Sequence, residues 1–181
     1  MSSLTVYHQT SAELPNKVLT HIEDIASTLA DFGVRFERWQ AAAPLSADAS
    51  QEELIGAYRG QLDSLMAERD LTHVEVVRLD NREPQAAELR AERREEHSYA
   101  EDEVCFFVAG RGLFSLHIED YVYAVLCEKN DLIVIPAGIK RWFDIGEHPH
   151  FITLRAFNAP HAVAQFTGDP IASAFPGLDD C

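Results

Sequence analysis

His97-Ser98-Tyr99-Ala100-Glu101-Asp102-Glu103 runs directly into Val104-Cys105-Phe106-Phe107-Val108-Ala109-Gly110, a skeleton of His-x-Tyr-x3-Glu-x6-Gly. Side chains alternate across an extended strand, so positions 97 and 99 point to one face, and Glu103, Cys105 and Phe107 share a face in their turn. A turn between Tyr99 and Glu103 brings the carboxylate back from the next stretch of strand. A second stretch, Asp131-Leu132-Ile133-Val134-Ile135-Pro136-Ala137-Gly138-Ile139-Lys140-Arg141-Trp142, carries an apolar run, then Pro136-Ala137-Gly138, then Arg141.

Outward from these two stretches, short β-branched and aromatic runs recur at 73–79, 103–108, 113–118, 121–127, 132–135 and 151–157. Gly110-Arg111-Gly112, Glu119-Asp120, Lys129-Asn130 and Pro136-Ala137-Gly138 punctuate them, as turn residues do between strands. Many short strands with tight connections predict an antiparallel sandwich or small barrel, not a parallel sheet. Before residue 73 the period is helical. Thr20-His21-Ile22-Glu23 reads as a capping box opening a helix with Ile22, Ile25, Ala26, Leu29 and Phe32 on one stripe, stopped by Gly33. Ser50-Gln51-Glu52-Glu53 reads as a second box, with Leu54, Ile55, Tyr58, Leu62, Leu65 and Met66 behind it. Between the two helices, 34–39 is a predicted strand and 41–49 a loop. The division expected is one domain over 1–181: a helical flank with the first strands (1–72), a barrel core (73–160) and a C-terminal tail (161–181).

The chain has 181 residues, 30 Asp and Glu against 15 Lys and Arg, and a formal net charge of −15. A surface this acidic argues against nucleic acid, which is held by clustered cations, and against docking to an anionic membrane. The basic knot at 90–94 is interleaved with Glu92 and is expected to be a solvated face. No run approaches the roughly 18 apolar residues of a membrane helix, and no secretory leader is visible. Cys105, Cys127 and Cys181 are too few and scattered for a disulfide framework. These features lead us to expect a cytoplasmic protein with no nucleic-acid or membrane partner. A monomer is also expected.

The two stretches resemble the paired motifs of cupins, which hold a metal at the mouth of a jelly roll. More specifically, Glu101-Asp102-Glu103-Val104, Gly110-Arg111-Gly112-Leu113-Phe114, Leu126-Cys127-Glu128-Lys129-Asn130-Asp131-Leu132-Ile133 and Trp142-Phe143-Asp144-Ile145-Gly146 resemble the acireductone dioxygenase family. Leu14-Pro15-Asn16-Lys17 and Val34-Arg35-Phe36-Glu37-Arg38-Trp39 do so too, and the likeness spans nearly the whole chain. The resemblance implies an all-β fold, a cupin jelly-roll barrel with flanking N-terminal helices. It also implies a small-molecule substrate and a place in methionine salvage, where 1,2-dihydroxy-3-keto-5-methylthiopentene and dioxygen give 2-keto-4-methylthiobutyrate and formate. The family's metal, Fe(II) or Ni(II), sits on three His and one Glu.

Carried over residue by residue, the resemblance is partial. His97 and Glu103 stand at metal-ligand positions. Tyr99 and Arg141 stand where the family has its second and third His. Cys105 replaces an arginine near the substrate, Arg93 replaces an aromatic residue before the first His, and Arg155 matches a retained arginine. Tyr99 could ligate only as a phenolate, and a guanidinium offers no lone pair. Two ligands hold a divalent ion weakly, so a metal-free state is expected, with Arg141 in the metal's space and ion-paired to Glu103. Tyr99 is expected to donate its hydroxyl to that carboxylate or to line the pocket. Catalytic roles fall to Arg155 and to Cys105, which could be a nucleophile or a soft ligand but could equally be packing. Cys127 is expected in the core, His117 as a hydrogen-bonded wall residue, and His148 and His150 near the surface. The expected function is that of an acireductone dioxygenase-family cupin with impaired or altered activity. The alternatives are an inactive paralogue serving as a binding or regulatory module, and a diverged cupin enzyme on another substrate.

Overall fold

The β-branched and aromatic runs pair into two antiparallel sheets in a computed structural model, which describes residues 1–41, 45–46, 48–80, 85–158 and 163–181. In chain order the elements are β1 (Ser3–His8), β2 (Lys17–Leu19), α1 (Ile22–Ala30), β3 (Arg35–Arg38), α2 (Gln51–Ala57), α3 (Arg59–Arg69), β4 (His73–Asp80) and α4 (Ala86–Arg93). Then follow β5 (His97–Ser98), β6 (Glu103–Gly110), β7 (Gly112–Ile118), β8 (Tyr121–Cys127), β9 (Asp131–Ile135), β10 (Lys140–Asp144), β11 (His150–Phe157) and β12 (Gln165–Phe166). One sheet has the order β12-β5-β10-β7-β8-β1-β2, the other β3-β9-β6-β11-β4. Among the described residues, no helix is long and apolar enough to cross a membrane.

The alternation along β6 sorts its side chains between two cores. Cys105 and Phe107 point between the sheets, where they meet Leu4, Phe114, Leu116 and Val125 of the seven-stranded sheet. Val104, Phe106 and Val108 point the other way, onto Leu54, Tyr58, Leu62 and Leu65 of α2 and α3. The five-stranded sheet is thus buried on both faces, which explains why its central strands are apolar almost without interruption. Each large side chain so buried contributes roughly 1.5–3 kcal/mol relative to exposure.

Gly110-Arg111-Gly112 is a corner between the sheets and not a hairpin, because β6 belongs to one sheet and β7 to the other. Gly110 adopts φ +76°, and a Cβ there would lie 2.0 Å from the His150 carbonyl oxygen. Only glycine fits both the left-handed backbone and that approach. Glu119-Asp120 does close a hairpin, between β7 and β8.

Three local readings are corrected. No side chain caps α1: its N-cap is His21, and Thr20 does not form the expected box. The stripe from Leu54 to Met66 is two helices, α2 and α3, divided at Tyr58, whose backbone (φ −118°, ψ 17°) leaves the helical region. Ser50 does cap α2, accepting from the Glu53 N–H at 3.1 Å. The knot at 90–94 is not a solvated face either. It forms the last turn of α4 and the residue beyond, and Arg90 and Arg94 reach the buried Asp144 of β10 at 2.9 and 3.8 Å. Part of the predicted 41–49 loop lies outside the described residues.

Candidate functional site

Glu103 opens β6 in one sheet, and Arg141 lies on β10 in the other, directly opposite His97 in the β5–β10 register. Two backbone ties bring the stretches together. The Gly138 N–H donates to the Tyr99 carbonyl at 2.9 Å, and the Ala137 N–H donates to Asp102 Oδ1 at 2.9 Å. Asp102 in turn accepts from Arg69 at 3.0 Å. These bonds fix the Pro-x-Gly turn against the loop between Tyr99 and Glu103, so the side chains of both stretches converge.

At the point of convergence stands a triad of charges. Arg141 Nη1 donates to Glu103 Oε1 at 2.8 Å, and Arg155 Nη2 donates to Glu103 Oε2 at 2.7 Å. Arg141 is fully buried, and every one of its nitrogens is engaged. Nε donates to the Ile139 carbonyl at 3.1 Å, and Nη2 to those of Ile139 and Pro136 at 2.9 and 3.3 Å. Arg155 also reaches the half-exposed Glu75 at 3.3 Å and lies over the Phe157 ring. Burial alone would raise the Glu103 carboxyl, but Arg155 and Arg141 together pull it down to about 2, so it stays ionised.

The expected Arg141–Glu103 pair is therefore formed, and Arg155 joins it. Tyr99 does not complete the network through its hydroxyl: among the described residues it makes no hydrogen bond to Glu103, whose oxygens accept from the two arginines. Instead the buried Tyr99 presents its ring face to the Arg141 guanidinium, 5.2 Å from centroid to Cζ, and packs edge-on to His97 at 5.4 Å. Nδ1 of His97 donates to the Glu95 carbonyl at 2.7 Å, which leaves Nε2 unprotonated in the neutral ring. Burial, opposed by that hydrogen bond and by Glu103, lowers the His97 imidazole below its usual value.

A cavity of about 30 Å³ lies beside the triad, lined by Arg93, Glu103, Cys105 and Arg155 and by the rings of Phe114, Phe143 and Phe151. By size it holds roughly two waters. Cys105 forms part of its wall, and burial together with nearby Glu103 pushes the thiol up to about 12, so it is neutral at physiological pH. A nucleophile or ligand thiol needs the opposite environment. Cys127 is buried in the core as expected.

A divalent ion at this point would need free lone pairs from several converging donors. His97 Nε2 offers one. Both Glu103 oxygens already accept charged hydrogen bonds, and Arg141 brings a fixed positive charge and no lone pair. These residues do not fit the metal.

The histidines outside the site behave as surface or wall groups. His148 and His150 are exposed, while His117 bonds Glu96 through Nδ1 at 2.6 Å and Gln9 through Nε2 at 2.9 Å. The sequence reading missed that Glu96, His117 and Asp169 come within reach of one another. Their donor atoms are already used: Glu96 also accepts from Thr167 at 2.7 Å, and Asp169 caps the Ile171 N–H at 3.0 Å. The reading also missed α4, which carries Arg93 and Leu89 to the cavity. Its signal was present in the run of strong helix formers Ala86-Ala87-Glu88-Leu89-Arg90-Ala91-Glu92-Arg93.

Two packed antiparallel sheets, helices against the outer face of one, and a polar site built from the His97–Glu103 and Pro136–Arg141 stretches define a cupin. The sequence pattern of the ARD/ARD' family matches residues 4–164, and the chain belongs to the acireductone dioxygenase family. It is 66% identical over 181 residues to an acireductone dioxygenase of Pseudomonas fluorescens, covering 99% of this chain and all of that one. The corresponding figure for the acireductone dioxygenase of Pseudomonas aeruginosa is 64% over the same span and coverage. In solved structures, the fold is shared with "Acireductone dioxygenase from Bacillus anthracis with cadmium ion in active center", at a TM-score of 0.80 and 22% identity, covering 92% of this chain and 98% of that one.

Proposed function

We propose that this member of the acireductone dioxygenase family is a metal-independent cupin that binds a small molecule and does not carry out the family's oxygenation of acireductone. One observation carries the reading: the Arg141 guanidinium is buried against Glu103 with all its nitrogens hydrogen-bonded, so a protein cation stands where a metal would be held. Removing Arg141 from that position means breaking a buried ion pair and three further hydrogen bonds, a cost of several kcal/mol that a weakly held ion does not offset. The cavity supports the same reading. Its roughly 30 Å³ is far below the several hundred Å³ of sites that enclose drug-sized ligands, and a methylthio-substituted enediolate would not enter it without rearrangement. Cys105 then serves as wall, and Arg155 as a partner of Glu103 and a lining cation.

A second reading has its own support. Relatives 61–66% identical over the full chain bear the name acireductone dioxygenase, and likeness of that extent ordinarily accompanies a shared reaction in methionine salvage. The two readings part on metal content and turnover. Protein purified without added metal is expected to hold far less than one iron or nickel per chain and to leave enediolate absorbance unchanged under oxygen with iron added. Stoichiometric metal retained through dialysis and ligated by His97 and Glu103, or turnover at a rate typical of enzymes, would establish the second reading.

A further inference from the structure

The residues around the cavity do not balance in charge. Arg93, Arg141 and Arg155 face one buried carboxylate, Glu103, whose two oxygens are taken by Arg141 and Arg155. Glu75 offsets Arg155 only from a half-exposed position. Arg93, in the last turn of α4, lines the cavity and makes no hydrogen bond or ion pair among the described residues. Its neighbours Arg90 and Arg94 turn away to Asp144, so α4 is docked by one pair of arginines and delivers the third to the cavity. Arg155 is paired to Glu103 and Glu75, but Arg93 adds a further guanidinium to a lining whose one buried carboxylate is already shared by two. An excess of charge beside an apolar space is unfavourable, even in a chain of net charge −15. A lining of this charge favours an anion.

Resting on the metal-independent reading above, we propose that the cavity beneath α4 is a binding site for a small monocarboxylate of one or two carbons, held between Arg93 and Arg155. The planar fork of a guanidinium matches a carboxylate. The apolar part of the lining, which includes Phe114, Phe143 and Phe151, takes a hydrogen or a methyl group and rejects a second charge. The cavity's volume of about 30 Å³ limits the ligand to a few heavy atoms. A phosphate, larger and doubly charged, has too little room and too few partners. Arg141 takes no part in holding the anion, because its nitrogens are already engaged.

The test uses the full chain, treated with chelator and titrated with formate, acetate, chloride and phosphate at equal ionic strength, with the unfolding midpoint and the heat of binding as readouts. Formate or acetate should raise the midpoint saturably, and chloride and phosphate should not. Arg93→Gln should weaken carboxylate binding by roughly tenfold to a hundredfold, the range for one charged hydrogen bond, and Arg93→Lys should fall between. Because Arg93 makes no hydrogen bond or ion pair among the described residues and adds to an excess of positive charge, Arg93→Gln should unfold at or above the midpoint of the unaltered chain when no anion is present, which separates lost binding from lost folding. No saturable response to carboxylate, an equal response to chloride, or binding undiminished in Arg93→Gln overturns the inference alone. Carboxylate binding that appears only when iron is supplied and disappears on chelation overturns it together with the metal-independent reading.

Discussion

Arg141 and Arg155 divide the two oxygens of Glu103 between them, and this division decides what each substitution does. A simple pair would make the two partners equally sensitive. In a triad of two cations and one anion, Arg141→Met leaves a neutral Glu103–Arg155 pair, while Glu103→Gln leaves two buried guanidiniums with no carboxylate between them. Glu103→Gln should therefore be the more damaging change, at about 3–5 kcal/mol. Arg141→Met, which keeps the Arg155 pair but strands the carbonyls of Ile139 and Pro136, should cost less, about 2–3 kcal/mol. Urea unfolding of the two variants measures both, and a larger loss in Arg141→Met would show that the carbonyl bonds of Arg141 dominate the site. The Arg141–Glu103 contact was legible in the sequence because both positions lie in stretches that resemble the paired cupin motifs, which meet at a barrel mouth, and a buried carboxylate there needs a cation. The grip of Arg155 was not. It depends on the β6–β11 register, which sets Arg155 beside Cys105 and includes an irregularity at Ile152/Thr153, and register across 50 residues leaves no local mark.

At the scale of elements, the strands rich in Val, Ile and Phe were legible from their alternation. Those with charged or polar residues, such as β10 with Lys140, Arg141 and Asp144, were hidden, because their burial is decided by partners far away in sequence. Helix α4 shows the same thing. Its arginines read as a solvated face, yet Asp144 receives Arg90 together with the N–H groups of Gly146 and Leu178 at 3.2 and 2.7 Å. One carboxylate thus docks α4, the turn after β10 and the C-terminal segment. Burial would raise the Asp144 carboxyl, but Arg90 and the two N–H groups outweigh it and hold it below the usual carboxylate range. A carboxylate depressed in the folded state stabilises above its unfolded pKa, near 4, and that contribution is lost as pH falls through the lower folded value. Asp144→Asn should accordingly lower stability at neutral pH and flatten the loss of stability below about pH 4. Chemical denaturation across pH 2–7 reads this, and an acid limb of unchanged slope would mean that other carboxylates control it.

On the scale of the whole molecule, the two sheets meet at corners such as Gly110-Arg111-Gly112, and their cores are apolar without help from any ion. The only place where the sheets exchange charge at the barrel mouth, among the described residues, is the Glu103 triad. A barrel closed there by guanidinium should not depend on metal for its stability. Its unfolding midpoint should be the same before and after exhaustive chelation, and added nickel should not raise it. The scaffold that places Arg141 opposite His97 should equally place a histidine there, so Tyr99→His with Arg141→His recreates three imidazoles and one carboxylate around a common point. In that variant, metal binds the folded state alone and adds about 2.7 kcal/mol at a hundredfold excess over its Kd. For a chain of this size, that is a rise in midpoint of roughly 5–10 °C. Restoring turnover of acireductone should further require Cys105→Arg, because a metal alone does not position the substrate. Differential scanning calorimetry with and without nickel, on both proteins, separates the outcomes. A chelator-induced drop in the unaltered chain would mean that a metal closes the barrel after all, and a folded double variant indifferent to nickel would mean that β5 and β10 no longer aim their side chains at a common point.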